Sequence, residues 1–256
     1  DIEVLEGLDP VKKRPAMYIG DTDRRGYHHL LWEILDNSID EAMNGFARRI
    51  EVALDADHRG VSVKDDGRGI PVDILPKYKK PALEIVMTTL HGGGKFGKKG
   101  YAVSGGLHGV GASVVNALSE SVTVTVQRDG ATFSQSFVRG APVAKMKKGE
   151  ATKKHGTTTH FRPDPQVFGS KLAFDAAVVL ERLEAKAYLH GGLTIVFTDQ
   201  ATKETKEISH PGGVADFLPK LIAQRGKSPS HSGTFHCQQE REGELRLEAA
   251  LAWTEA

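Results

Sequence analysis

A cluster of four glycines, Gly105–Gly111, directly precedes an apolar stretch with helical spacing, and it constrains the fold more than any other feature. In the segment VSGGLHGVGASVVNAL the glycines stop where a helix is predicted to begin, at about Val110. Main-chain N–H groups at such a junction attract phosphate. The segment therefore predicts a loop that closes around a phosphate-bearing ligand, and a purely structural glycine loop is the alternative.

The two commonest phosphate loops do not fit this chain. A Walker loop needs Ser or Thr after its lysine, but in GGGKFGKKG Phe96 follows Lys95 and no buried strand precedes it. A dinucleotide-binding fingerprint needs a third glycine where Val114 stands. What remains is a long segment, 91–106, that contains Lys95 and ends in helix-capping glycines. This is the pattern of a lid over a polyphosphate.

Composition limits the class of protein. The 256 residues are 39% hydrophobic and 26% charged, which suits one substantial core plus part of a second. The formal net charge of +1 argues against a dedicated DNA-binding module with an incidental glycine loop. A single cysteine, Cys237, excludes a disulfide framework and Cys-rich zinc sites and favours the cytoplasm. No apolar run reaches the roughly 20 residues of a membrane span, and no signal-like segment is present.

Apolar spacing predicts helices over 29–46, 82–90, 110–118 and 174–190. Alternating residues predict a β-hairpin at 50–63, a second hairpin with an Asp-Gly turn at 122–138, and strands at 156–163 and 193–199. Early helices followed by mostly antiparallel strands favour an α+β sandwich over a doubly wound parallel sheet.

A linker by composition, RGKSPSHSG, follows a short helix that ends near Ala223. Alternating residues on both sides of Gly243 then predict an opening hairpin. We therefore divide the chain into a first domain, 1–227, and the start of a second domain, 228–256. The abrupt start at Asp1 favours an excised fragment.

Two polar segments carry residues suited to chemistry. Glu33 and Asn37 are four apart and share a helix face, so the amide and substrate phosphates can hold Mg²⁺ while the glutamate accepts a proton from water. Asp65 ends a strand beside glycines, and its carboxylate can accept a hydrogen bond from an amine such as that of adenine. A solvated acidic face and a simple Asp-Asp-Gly turn are the alternatives.

Other reactive arrangements are not indicated. The eleven histidines show no paired ligand spacing, and no serine, histidine and acid form a nucleophile constellation. Thr157 can hydrogen-bond a ligand or a water from its strand, although threonines in such runs commonly serve only to favour extended structure.

Five motifs together resemble the GHKL ATPases, the superfamily of DNA gyrase B, 90-kDa heat-shock chaperones, sensor histidine kinases and MutL. The resemblance is closest to the ATPase domains of bacterial type II topoisomerases, the DNA gyrase B and topoisomerase IV B families, and it covers nearly the whole chain. The motifs are RPAMYIGD, EILDNSIDEA, DDGRGIPVDI, LHGGGKF and SGGLHGVGASVVNALS.

This resemblance implies a two-layer Bergerat-type sandwich, with a mixed, mostly antiparallel sheet and helices on one face. It implies an enzyme that binds ATP and Mg²⁺ and closes as a clamp around duplex DNA, with a second copy of the gyrase B chain and two gyrase A chains as partners. Two alternatives to gyrase B remain within the family. One is the ATPase domain of topoisomerase IV B, and the other is a nucleotide-dependent clamp without topoisomerase activity.

The resemblance also implies residue roles. Glu33 matches the general base, Asn37 the magnesium ligand, and Asp65 the residue that binds the adenine amine, with Thr157 holding a water. The remaining nucleotide contacts implied are Gly69, Ile70, Lys95, Tyr101, Gly106, Leu107, His108, Gly109, Val110 and Gly111. The implied inhibitor pocket comprises Asn37, Glu41, Asp65, Arg68, Pro71 and Thr157, with Glu41 paired to Arg68.

Three departures from the family pattern lead to expectations. By comparison with the family pattern, we expect the chain to lack the N-terminal arm that reaches a partner subunit and to end before the transducer lysine that contacts the γ-phosphate. We therefore expect a monomer that binds ATP but hydrolyses it poorly. The segment FSQSF lacks an inhibitor-contacting arginine common in relatives, so affinity for coumarin-type inhibitors is expected to differ.

Overall fold

The computed structural model describes residues 7–90, 92, 111–241 and 245–255. The helices in these ranges are α1 (Asp9–Lys13), α2 (Ala16–Ile19), α3 (Arg24–Met43), α4 (Ala82–Thr88), α5 (Gly111–Ala117), α6 (Pro165–Phe168), α7 (Ala176–Leu189) and α8 (Val214–Gln224). The strands are β1 (Arg49–Leu54), β2 (Val61–Asp65), β3 (Ile74–Leu75), β4 (Lys80–Pro81), β5 (Ser119–Arg128), β6 (Ala131–Val138), β7 (Ala141–Pro142), β8 (Lys147–Ala151), β9 (Gly156–Pro163), β10 (Thr194–Asp199), β11 (Glu204–Ser209), β12 (Phe235–Arg241) and β13 (Leu245–Leu251).

Nine strands from the described ranges form one mixed sheet. Its order is β11-β10-β1-β2-β9-β5-β6-β7, and β8 pairs with β6 beside this path. Neighbouring strands are antiparallel except β1 and β10, which run parallel with Arg49 opposite Thr194. The α+β class with a mostly antiparallel sheet is therefore confirmed.

The core lies between this sheet and the helices that pack on one of its faces. Burial alternates along β1, where Ile50, Val52 and Leu54 are buried, because successive side chains point to opposite faces of a sheet. Helices α3, α5 and α7 contribute apolar residues such as Leu35 and Leu183 to the same cluster. The site residues of α3 are consequently held against the end of β2.

Helix α3 begins five residues earlier than the apolar spacing predicts. Asp23 caps its N-terminus, and the Asp23 side chain accepts a hydrogen bond from the Arg25 N–H at 2.8 Å. The helix ends at Met43 rather than Phe46, with Asn44 at its C-cap. The cap, rather than the apolar face, sets where the helix begins.

The predicted hairpins are present, with β1 antiparallel to β2 and β5 antiparallel to β6. Asp129 and Gly130 form the second turn with positive φ angles, as the Asp-Gly pair predicts. Strand β11 was not predicted, because it is a charged edge strand in which only Ile208 is buried. The β12–β13 hairpin forms a sheet of its own. Within the described ranges no helix combines the length and hydropathy that crossing a membrane requires.

Candidate functional site

Asp65 ends β2 and is buried, with 7% of its surface exposed. Its Oδ1 accepts hydrogen bonds from the backbone N–H of Gly67 at 2.9 Å and of Thr157 at 3.3 Å. Its Oδ2 accepts one from the Ser38 hydroxyl at 2.9 Å. Residues from α3, from the turn after β2 and from β9 therefore converge on a single carboxylate.

Two glycines make this convergence possible. Gly156 has a φ of +129°, and a Cβ there would overlap the carbonyl oxygen of Asp65. A Cβ at Gly67 would lie 2.8 Å from Glu41 Oε2 and 2.9 Å from Asp65 Oδ1. Side chains at these positions would push the turn away from α3 and β9, so the glycines allow the close backbone approach.

Burial raises the pKa of Asp65 above its ordinary value, and the negative charge of Glu41 adds to this effect. The hydrogen bonds from Gly67, Ser38 and Thr157 act in the opposite direction, because they favour the ionised carboxylate. An ionised carboxylate only accepts hydrogen bonds, so this site is suited to a ligand group that donates one.

Glu41 and Arg68 form the rim of the site. Glu41 is 8% exposed; Arg68 donates from Nη2 to Oε1 at 2.7 Å and from its backbone N–H to Oε2 at 2.8 Å. The Arg68 guanidinium also lies 3.7 Å from the ring centroid of Phe46. Pro71, expected at the same mouth, is exposed. The pairing of Glu41 with Arg68 that the sequence indicated is present.

Thr157 links β9 to the loop that carries Gly69 and Ile70. Its hydroxyl accepts a hydrogen bond from the Ile70 N–H at 3.1 Å. Arg128 donates from Nη1 to the Gly69 carbonyl at 2.8 Å. This loop is therefore attached on both sides to strands of the main sheet.

A second group of residues lies on α3, about two helical turns before Glu41. The Nε2 of His29 is 3.1 Å from Oε1 of Glu33, whose side chain is about one third exposed. A Cβ at Gly111 would overlap Glu33 Oε2, so the carboxylate lies against the first residue of α5. Glu33 is thus partly exposed and oriented from one side by a histidine.

Asn37 lies between these two groups, because Glu33, Asn37 and Glu41 recur at intervals of four on the same face of α3. The described part of the chain holds no group of three or more His, Cys, Asp or Glu that could bind a metal ion. An amide oxygen completed by substrate phosphates and waters is the kind of site Mg²⁺ uses. Asn37 carries an amide oxygen of this type.

Seven of the expected nucleotide contacts lie outside the described residues: Lys95, Tyr101, Gly106, Leu107, His108, Gly109 and Val110.

Sequence reasoning missed Ser38, His29 and Arg128, which contact expected site residues, and His155, whose Nδ1 is 2.7 Å from the carbonyl oxygen of Gly67. The signal for His29 was its position four residues before Glu33 on the same helix face. The other three depend on contacts between distant segments, which no spacing in the sequence reveals.

A family model described as "Histidine kinase-, DNA gyrase B-, and HSP90-like ATPase" matches residues 22–167. Among curated proteins, the DNA topoisomerase 4 B protein of Caulobacter vibrioides is 51% identical over 99% of this chain and 37% of its own length. The DNA gyrase B protein of Halalkalibacterium halodurans is 48% identical over 99% of this chain and 39% of its own length. The chain thus spans about two fifths of the length of these relatives.

A solved structure supports the same fold. The crystal structure of the 43K ATPase domain of Thermus thermophilus gyrase B, in complex with an aminocoumarin, superposes with a TM-score of 0.85. The two chains are 40% identical, and the match covers 96% of this chain and 62% of that one. The two-layer ATPase architecture expected from the motifs is therefore confirmed.

Proposed function

Since the chain belongs to the histidine kinase-, DNA gyrase B- and HSP90-like ATPase family, we propose that it is the ATP-binding and ATP-hydrolysing domain of a bacterial type II DNA topoisomerase. The parent protein is DNA gyrase B or its topoisomerase IV counterpart, and the similar identities to both leave the two as alternatives.

The observation that carries this proposal is the buried Asp65 carboxylate, oriented by hydrogen bonds from three segments of the chain. Adenine presents an exocyclic amine that donates to such an acceptor. Thr157 holds the neighbouring loop through Ile70, and we assign it the further role of binding a bridging water. Arg68 and Pro71 line the mouth, where inhibitors of this family bind.

Hydrolysis is assigned to Glu33. Its carboxylate accepts a proton from the attacking water, and His29 holds the carboxylate in place by donating from Nε2 to Oε1. The partial exposure of Glu33 leaves it open to water. The contact with Gly111 places it beside the helix whose preceding glycines are proposed to hold the phosphates.

Phosphate binding is assigned to the glycine-rich stretch from Gly106 to Gly111, with Lys95 and Tyr101 adding contacts from the lid. Asn37 would provide the amide oxygen for Mg²⁺. When bound, that ion neutralises charge on the triphosphate oxygens. The division of labour is therefore base recognition at Asp65 and water activation at Glu33, both positioned by α3.

In the whole enzyme, ATP binding would close two such domains around a DNA duplex, with two gyrase A chains as further partners. We assign 1–227 to the ATP-binding domain and 228–256 to the start of a transducer domain. The separate β12–β13 sheet supports this division. A nucleotide-dependent clamp without topoisomerase activity is the alternative that the fold also permits.

Calorimetric titration of a non-hydrolysable ATP analogue with Mg²⁺ tests the base assignment. We expect the parent chain to bind and Asp65→Asn to lose most of its affinity, because the amide can present a donor to the adenine amine. Asp66→Asn is the matched control, since its Oδ1 accepts from the Arg48 and Arg49 N–H groups and an amide oxygen can do the same. Equal affinity in the parent and Asp65→Asn would contradict the proposal.

The reaction is tested in the full-length protein. Glu33→Gln should abolish turnover while ATP still binds, and duplex DNA should stimulate turnover of the parent enzyme. Stimulation by DNA distinguishes a topoisomerase from a simple clamp. Introduction of negative supercoils in the presence of the gyrase A protein would distinguish gyrase from topoisomerase IV.

A further inference from the structure

The hydrogen-bonding capacity of the Asp65 carboxylate is almost filled. Each carboxylate oxygen accepts about two hydrogen bonds. The Oδ1 position already accepts from Gly67 and Thr157, and Oδ2 accepts from Ser38. Counting partners within the described ranges, a single acceptor position on Oδ2 is left for a ligand.

Ser38 is the only side chain among these three donors. It is 4% exposed in the middle of α3, and its hydroxyl reaches 2.9 Å to Asp65 Oδ2 on β2. A serine inside a helix often bonds back to the preceding turn instead. Because an ionised carboxylate only accepts, the Ser38 hydroxyl must be the donor in this contact.

We propose that Ser38 is a positioning residue that holds Oδ2 of Asp65 with one acceptor open, and that it thereby contributes to selection of 6-aminopurine over 6-oxopurine nucleotides. The inference rests on the proposed function, because it concerns the same base-binding carboxylate. A 6-aminopurine offers the donor that this acceptor needs. A 6-oxopurine offers an acceptor, which the carboxylate oxygen repels.

Removing the Ser38 hydroxyl would change the hydrogen bonding of the Asp65 carboxylate rather than the shape of the site. Without Ser38, Asp65 would be held by protein donors through Oδ1 alone, and Oδ2 would have two open positions for water. Charged groups near the carboxylate include Glu41 on α3, bonded to Arg68, and the adjacent Asp66. His155 contacts Gly67 from the segment before β9. None of these four donates a hydrogen bond to Oδ2 in the described structure.

Calorimetry with two non-hydrolysable triphosphates tests the proposal, one carrying adenine and one carrying purine, which lacks the 6-amino group. Ser38→Ala should weaken binding of the adenine analogue by about three- to tenfold, the effect of one hydrogen bond. It should change binding of the purine analogue by less than about twofold. The ratio of affinities for adenine and guanine analogues should fall in the same variant.

Ser119→Ala is the matched control. Ser119 is also fully buried, and its hydroxyl has no hydrogen-bond partner within the described ranges. Its replacement should leave the affinities for both analogues unchanged. Ser38→Thr, which keeps the hydroxyl, should retain the preference for adenine, and Ser38→Cys should be intermediate because a thiol is a weak donor.

Several results would overturn the inference. Equal losses for the adenine and purine analogues in Ser38→Ala would indicate a merely structural role, and unchanged affinities would exclude any role. If thermal unfolding shows that Ser38→Ala does not fold, the affinities for the adenine and purine analogues are compared in Ser38→Cys instead. A preference of Ser38→Cys for adenine equal to that of the parent would contradict the proposal. A parent chain that binds neither analogue contradicts the proposed function instead.

Discussion

Replacing Gly156 with alanine should strongly destabilise the protein. Gly156 begins β9 with a φ of +129°, a region that side chains rarely adopt. An added Cβ would overlap the carbonyl oxygen of Asp65 and lie 3.1 Å from the Cα of Asp66. Because both neighbours are backbone atoms, relief requires β9 to move away from the end of β2.

The magnitude follows from two separate costs. An unfavourable backbone conformation costs about 1–3 kcal/mol, and overpacking that shifts the backbone costs about 1–3 kcal/mol more. Gly130→Ala isolates the first cost, because Gly130 has a φ of +76° at the β5–β6 turn and nothing within 4 Å of its added Cβ. The free energy of unfolding should therefore fall by about 2–6 kcal/mol for Gly156→Ala and by about 1–3 kcal/mol for Gly130→Ala.

Urea unfolding followed by far-UV circular dichroism measures both variants against the parent. A difference of about 2 kcal/mol corresponds to about 1 M in the urea midpoint when the slope is about 2 kcal/mol per M. Nucleotide affinity should also fall in Gly156→Ala, since Asp65 and Thr157 both lie beside the displaced backbone. Equal urea midpoints for the two glycine variants would refute the close-approach argument.

Three further predictions follow from the same contacts. In the full-length enzyme, His29→Ala should lower ATP turnover about tenfold with little change in ATP affinity, because the substitution removes the side chain that orients Glu33. Phosphate release measures turnover, and calorimetry measures affinity. A loss of affinity without a loss of turnover would contradict this role for His29. Burial raises the pKa of Tyr27 from its ordinary value of 10.0 to about 12. The stability that the neutral Tyr27 hydroxyl contributes to the folded protein should therefore be complete below pH 10 and be lost between pH 10 and 12. Thermal melts of Tyr27→Phe over the same pH range should not show this loss. The Arg162 hydrogen bond lowers the pKa of Asp57 to about 2, so the stability that this contact contributes is fully present above pH 3.8 and should be lost as the pH falls from 3.8 to about 2. An NMR titration should show the pKa of Asp57 returning toward 3.8 in Arg162→Met, and an unchanged pKa would contradict the assignment.

Many helices and strands of the fold could be predicted from patterns of neighbouring residues in the sequence. The β5–β6 hairpin follows from alternating residues around Asp129 and Gly130, and α7 follows from apolar spacing after the Asp175 cap. These signals involve residues within a few positions of one another, so the sequence alone determines them. The motifs likewise placed Glu33 and Asn37 on one helix face and Asp65 at a strand end.

The contacts that define the site are not local. Ser38 meets Asp65 across 27 positions, and Thr157 meets Asp65 across 92. The parallel pairing of β1 with β10 joins residues that are more distant still, such as Arg49 and Thr194. The spacing of apolar residues in the sequence does not indicate which of several buried hydrogen-bond donors will contact a given carboxylate.

The sequence by itself therefore determined most of the long elements, the family and the kinds of residues available for ATP chemistry. The tertiary structure alone decided that Ser38 would contact Asp65, that Arg128 would contact the Gly69 carbonyl, and that Gly156 would lie against the end of β2. The physical reason is the distance along the sequence over which each kind of interaction acts. Helix and strand preferences arise from neighbouring residues, whereas a hydrogen bond of 2.9 Å between separate elements exists only once the whole core has set how α3 packs on the sheet.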